Sequence, residues 1–181
     1  MGLDMYMSKK TYVKQWSHNA PEDQFTVTVK KGTKKFTGIK PERISYIVEE
    51  VAYWRKFNAL HNWFVNNVQD GVDECQESYI PDEKLKELIE TLKSVKEILE
   101  KAPTKKTMIQ VGWKNGEKEM EEIDTFDIDE EVLENLLPTT SGFFFGGVEY
   151  DEYYKESVEG TLETLEKLIA EGGDFYYQAS W

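Results

Sequence analysis

A chain of 181 residues with 39% hydrophobic and 13% aromatic content has the length and the apolar side chains for one domain with a real core. Its net charge of −13 disfavours wrapping duplex nucleic acid, because that affinity rests on neutralising phosphates. No apolar run approaches the roughly 20 residues that a membrane-spanning helix needs. The charge is unevenly divided. Up to Arg43 there are nine Lys or Arg against four Asp or Glu; beyond it there are thirteen against thirty-one. The basic start, with Lys30, Lys31, Lys34, Lys35, Lys40 and Arg43, suits either a solvated hairpin rim or contact with one small anion. Cys75 is the single cysteine, which excludes an intrachain disulfide framework and a thiolate zinc cluster. No secretory signal opens the chain, so a reducing, cytoplasmic location is expected.

In chain order, Leu3, Met5 and Met7, then Tyr12 and Val13, suggest an early strand over Leu3 to Val13. Phe25, Val27 and Val29 alternate with threonines, as a half-buried strand requires, and Lys31-Gly32-Thr33 reads as a turn. Pro41 stands where a helix could start. From about Arg43 to Val68 the residues Ile47, Val51, Trp54, Asn58, His61, Val65 and Val68 recur at helical spacing, which predicts one long helix ending before Asp70-Gly71. Leu85, Leu88, Ile89, Leu92, Val95, Ile98 and Leu99 predict an amphipathic helix over Asp82 to Ala102. Asn115-Gly116 is a strong hairpin signal between strands at Met108 to Trp113 and Lys118 to Ile123. A short helix is expected over Asp129 to Leu137. A loop from Pro138 then leads into an aromatic strand at Phe143 to Phe145 and out again. Asp151 to Glu171 forms the third main helix, closed by Gly172-Gly173, and Phe175 to Trp181 adds a terminal strand. The fold class is therefore α+β. It is one domain, 1–181, with a small, mostly antiparallel sheet, three main helices and one short helix.

Two segments carry residues suited to a ligand. On the predicted long helix, Asn58 and His61 interrupt an apolar stripe, with Arg55 and Asn62 beside them. Buried polar groups need partners, and an orphan costs roughly 1–3 kcal/mol, so either the protein or a ligand satisfies them. Trp54 offers a flat face, Arg55 a fork of donors for phosphate or carboxylate, and Asn58 a two-sided amide. The second segment runs from Thr139 through Phe144 to Tyr150 and Tyr153. Its aromatic rings and hydroxyls suit a nucleobase, while three consecutive phenylalanines equally suit a strand buried on both faces. The two histidines, His18 and His61, lack metal spacing, and Asp70, Asp73 and Glu74 lack a calcium-loop pattern. No metal and no cofactor are expected.

The blocks Met1-Gly-Leu-Asp-Met-Tyr6, Tyr53-Trp-Arg-Lys-Phe-Asn58 with His61 and Trp63-Phe64, and Leu137-Pro-Thr139 through Gly142-Phe-Phe-Phe-Gly146 with Tyr150-Asp151 resemble a bacteriophage protein family. Some members of that family carry a phosphoglycerate kinase label. The label does not fit a chain too short for two lobes and without a phosphate-transfer apparatus. The resemblance implies an accessory phage protein acting in the host bacterial cytoplasm. The leading expectation is a protein that binds a small nucleotide-like anion without turnover through Trp54, Arg55, Asn58, His61, Thr139, Phe144, Tyr150 and Tyr153, with sequestration of a host immune signal as its role. Neither membrane nor duplex nucleic acid is an expected partner, and a homodimer is. The alternatives are an enzyme on nucleotides or phosphoesters, with His61 as acid or base, and an acidic inhibitor that occupies a host protein.

Overall fold

The computed structural model describes residues 2–16, 18–142 and 144–181. Alternation at the start of the chain sets the frame. Leu3, Met5 and Met7 are fully buried while Asp4, Tyr6 and Ser8 face the other way on strand β1 (Asp4–Tyr12). An extended arm follows, carrying a two-stranded ribbon of β2 (Lys30–Lys31) and β3 (Lys34–Lys35), then a 3-10 turn at Pro41–Arg43. The chain returns along β4 (Tyr46–Arg55), enters helix α1 (Asn58–Asn67) and forms the short strand β5 (Ser78–Ile80). Helix α2 (Asp82–Lys101) leads into a long hairpin of β6 (Thr104–Lys114) and β7 (Glu117–Phe126). Helices α3 (Glu130–Leu136) and α4 (Glu152–Glu171) precede the last strand, β8 (Asp174–Ser180).

The main sheet is antiparallel with strand order β4-β1-β8-β5, so the last strand of the chain lies inside it, beside the first. One face is packed. Met5, Met7, Ile80, Phe175, Tyr177 and Ala179 join Phe57, Leu60 and Phe64 around α1 and the apolar stripes of α2 and α4 in a single core cluster. Burial of each such side chain stabilises the fold by roughly 1.5–3 kcal/mol before chain entropy is counted. The opposite face carries six of the ten tyrosines: Tyr6, Tyr12, Tyr46, Tyr53, Tyr79 and Tyr176. It is open, with Tyr12 at 42%, Tyr46 at 53%, Tyr53 at 48% and Tyr79 at 48% exposure. No helix among the described residues is long and apolar enough to cross a membrane.

Four expectations are corrected. The predicted long helix over 43–68 is a strand followed by a helix of ten residues. Ile47, Val51 and Trp54 fit helical spacing, yet Tyr46-Ile-Val and Val51-Ala-Tyr-Trp are β-branched and aromatic runs, and pairing with β1 decides the outcome. Lys56, with φ of 58°, separates the two elements, because neither a strand nor a right-handed helix runs through that conformation. The region 25–29 is irregular, since no sheet lies beside it and its ladder stops at the lysine ribbon and one Phe36-to-Val29 hydrogen bond. Pro41 opens a 3-10 turn rather than a helix. The aromatic segment at 143–145 is a turn where it is described, at Phe144 and Phe145; Phe143 lies outside the described residues. Gly142 and Gly146 bracket it, and Gly146 has φ of 93° with Lys56 pressed against it. A Cβ there would sit 3.1 Å from the Lys56 Cβ and 3.3 Å from its carbonyl oxygen. A strand cannot pass through that contact.

The remaining elements follow the local signals. The hairpin turns at Asn115 and Gly116, both at positive φ, and Asp129 and Asp151 cap α3 and α4 through their side chains.

Candidate functional site

Helix α1 begins against the 138–147 segment, and Asn58 makes the junction. Its Nδ2 donates to the carbonyls of Phe145 (3.2 Å) and Gly147 (2.6 Å), and its Oδ1 accepts from the Thr140 N–H (3.0 Å). At 3% exposure the amide is buried and fully engaged. One lone pair on Oδ1 is the whole of its spare capacity. Asn62 follows on the same helix and donates to the Pro138 carbonyl at 3.4 Å.

His61 lies nearly one turn further on and is 1% exposed. Its Nε2 is 3.0 Å from Asp73 Oδ2 and its Nδ1 is 2.8 Å from the Tyr177 hydroxyl. An ionised carboxylate can only accept, so Nε2 carries the hydrogen. In the neutral imidazole Nδ1 then accepts from Tyr177. Burial, and secondarily the Asp73 charge, push the Tyr177 phenol well above its ordinary value, which keeps it a donor. Tyr177 stacks on Phe64 with centroids 4.0 Å apart, and Phe145 meets the imidazole edge-on at 5.2 Å. Asp73 is further held by the Trp181 indole N–H, which donates to Oδ1 at 3.1 Å.

Beside this chain of hydrogen bonds lies a groove of about 550 Å³ lined by His61, Asn62, Asp73, Thr140, Phe145 and Trp181, among others. Its size is that of a small-molecule site. Asp73 keeps 30% of its side-chain surface exposed, and each of its oxygens has accepted one hydrogen bond of the two it can take. The Phe145 and Trp181 rings stand 6.5 Å apart at 51°, giving the groove aromatic walls. No lysine or arginine lines it.

The eight residues singled out from sequence divide among five places. His61 lines the groove. Asn58, Thr139 and Tyr153 line a separate cavity of about 100 Å³ with Lys56, Glu149 and Asp151, which has room for a few waters and carries two carboxylates against one ammonium. Thr139 there donates to the Val148 carbonyl at 2.9 Å, and the Tyr153 hydroxyl donates to the Arg55 carbonyl at 2.5 Å. Trp54 and Arg55 belong to β4. Trp54 packs on the core, while Arg55 is exposed with Nε 3.9 Å from Asp4. Tyr150 is buried edge-on against Tyr154, and burial pushes both phenols up. Phe144 is half-buried, its carbonyl accepting from the Leu3 N–H at 3.2 Å. Arg55 and His61, paired by helical spacing in the sequence, are thus not one site.

Asp73, Phe145 and Trp181 complete the groove, and Tyr177 holds His61 from behind it; none of the four is among the eight residues. No local pattern links positions 61, 73, 145 and 181. The sole hint was the alternation of the terminal strand, which buries Phe175, Tyr177 and Ala179 on one face. Among the described residues no cluster of three or more His, Cys, Asp or Glu is arranged to hold a metal ion. Comparison with protein-family models, with characterised proteins and with solved structures found no match for the chain.

Proposed function

We propose that the protein binds, without turnover, a small nucleotide-like ligand whose planar base enters the groove beside Phe145 and Trp181. One observation carries this reading: an anchored carboxylate, Asp73, with two acceptor positions left, set beside aromatic rings in a groove of ligand size. Stacking on aromatic walls combined with hydrogen bonds to a base edge is the usual way a protein holds an unpaired base. A base edge presenting two parallel N–H donors, as guanine does, complements a carboxylate. Thr140 and Ser141 add hydroxyl groups to the lining.

The lining residues refine the expectation of an anion. With no cation in the groove, recognition falls on the base, and a phosphate stays at the mouth in water. Binding without turnover is favoured because both nitrogens of His61 are engaged and its ring is buried, leaving it no free lone pair for a substrate. The resemblance to phage proteins supplies a biological form for the proposal, in which a host signalling nucleotide is held out of circulation.

Calorimetric titration with guanosine, adenosine and guanosine monophosphate tests it. Guanosine is expected to bind best, the monophosphate no more tightly, and heat denaturation to release the ligand intact. Absence of binding by any nucleoside or nucleotide overturns the proposal. So does strong binding of the phosphate form alone, or recovery of a changed product.

A further inference from the structure

The open face of the sheet and the arm that leaves it form a second surface, distinct from the groove. Successive side chains on one face of a strand lie two residues apart, about 6.8 Å along it. Register places Tyr12 beside Tyr46, Tyr6 beside Tyr53, and Tyr79 beside Tyr176. The rings of these pairs are 5.0, 5.4 and 5.5 Å apart. The face thus holds a series of paired aromatic platforms. Tyrosine supplies such area at little cost in side-chain entropy, with two rotatable angles and a hydroxyl at its rim.

At the Tyr12–Tyr46 end the chain runs out into the arm. There the ribbon sets Lys30 across from Lys35 and Lys31 across from Lys34. Like charges directly opposed in a two-stranded ladder are destabilising. Among the described residues none of these four lysines forms an ion pair, although ten other Lys or Arg side chains do. Exposed rings accompany them: Trp16 at 47%, Phe25 at 50% and Phe36 at 38%, with Lys14 4.9 Å from the Trp16 ring centroid. An anion spaced along a chain would relieve the opposed lysines, and flat groups would stack on the outward faces of these rings, which meet one another tilted or edge-on at 69°, 48° and 65°.

We propose that this surface binds single-stranded nucleic acid, with bases stacked on the tyrosine pairs and phosphates neutralised by the lysine ribbon. Lys10, 4.0 Å from the centroid of the Tyr176 ring, and Arg55 add positive charge on the sheet. The carboxylates there are Asp4, Glu50, Glu77 and Asp174, and Asp82 and Glu83 also act on Tyr79. Asp4 is held by Tyr53 and Arg55, and Glu77 by Lys10. The acidic remainder of the molecule disfavours a duplex, and physiological electrolyte screens its exposed charges beyond about 8 Å; the arm's own carboxylates are Glu22, Asp23 and Glu42. An open antiparallel sheet that stacks bases on its aromatics is an established physical solution for single strands.

Fluorescence anisotropy with labelled oligothymidylate and oligoadenylate of about 20 nucleotides tests the proposal at low and physiological salt. Binding is expected to weaken with salt at a log–log slope near −3, as four neutralised phosphates give on a single strand. The quadruple variant K30Q/K31Q/K34Q/K35Q is expected to flatten that slope towards zero. Tyr53→Ser and Tyr79→Ser, both at exposed positions, are each expected to weaken binding about tenfold without changing the slope. Circular dichroism confirms that these variants fold. No anisotropy change at low salt overturns the proposal, as do equal affinity for duplex of the same length and indifference to the tyrosine substitutions. Capture of a polypeptide by the same tyrosines, with no oligonucleotide binding, also overturns it. The residues differ from those of the groove, so either proposal can fail alone.

Discussion

Asn58 and His61 lie within one turn of each other on α1, equally buried, and each ties the helix to a distant segment. They differ in what is left over. Asn58 spends its donors and half of its acceptor capacity on three backbone groups of the 140–147 segment. His61 hands its hydrogen bond to Asp73, and the carboxylate stands at a surface with capacity to spare. A closed cluster fixes the fold. A cluster that ends in an anchored, partly open acceptor can fix the fold and also meet a ligand. Burial and residue type alone do not separate the two, whereas counting unused donors and acceptors does.

The largest expected effect breaks the closed side. Asn58→Ala leaves the Phe145 and Gly147 carbonyls and the Thr140 N–H without their partner. A loss of about 3 kcal/mol or more of stability should be seen in urea denaturation, since each orphaned buried group costs roughly 1–3 kcal/mol. A loss below 1 kcal/mol would mean that water replaces the amide, removing its structural role.

High pH strains the buried phenols on both sides. Burial raises Tyr154, which donates to the Leu137 carbonyl, and Tyr177, which serves His61. The unfolded chain loses these protons near the ordinary value of 10.0, and the folded chain holds them. Their contribution is therefore complete below pH 10 and declines as pH climbs from there towards the folded values. The expected slope is about 1.4 kcal/mol per pH unit for each tyrosine. Thermal melts from pH 9 to 11 measure it, and Tyr177→Phe should remove the share belonging to Tyr177. An unchanged slope in that variant would place the pH sensitivity elsewhere.

Asp73→Asn acts on the open side. It keeps an acceptor but loses the charge, so stability should change by about 1 kcal/mol while guanosine affinity drops about tenfold or more. Equal affinity in the variant would remove Asp73 from recognition. The smallest effect provides a control outside both clusters. Thr161 in α4 buries a hydroxyl with no hydrogen-bond partner among the described residues, so Thr161→Val is expected to stabilise the fold by up to about 1 kcal/mol and leave ligand binding untouched.

Local signals in the sequence carried most of the fold. The stripe on α2, the Asn115-Gly116 turn and the capped start of α4 are each decided within about twenty neighbouring residues. β4 was misread because Ile47, Val51 and Trp54 satisfy helical spacing as well as strand composition, and its partner β1 lies some forty residues away. Its choice is a tertiary one. The groove was legible only at His61. Asp73, Phe145 and Trp181 come from a turn after α1, the glycine-flanked turn and the end of β8, and their convergence depends on the sheet order. The Asn58 partnerships depend on the same distant packing, which explains why the amide read equally well as structural or as ligand-binding.

The place of β8 has a consequence for biosynthesis. The strand that fills the middle of the sheet leaves the ribosome after both of its neighbours, and it must slide between β1 and β5. Until residues 174–181 emerge, both of those strands expose bare edges, the groove lacks Trp181 and His61 lacks Tyr177. The nascent chain therefore waits in a form prone to pairing with other chains, which slow translation or a bound chaperone would prolong or protect. Folding closes the sheet by joining β8 to β1. A circular permutant that links residue 181 to residue 2 and opens the chain at Asn115-Gly116 would deliver β8 and β1 together, and it should aggregate less during synthesis than the native order.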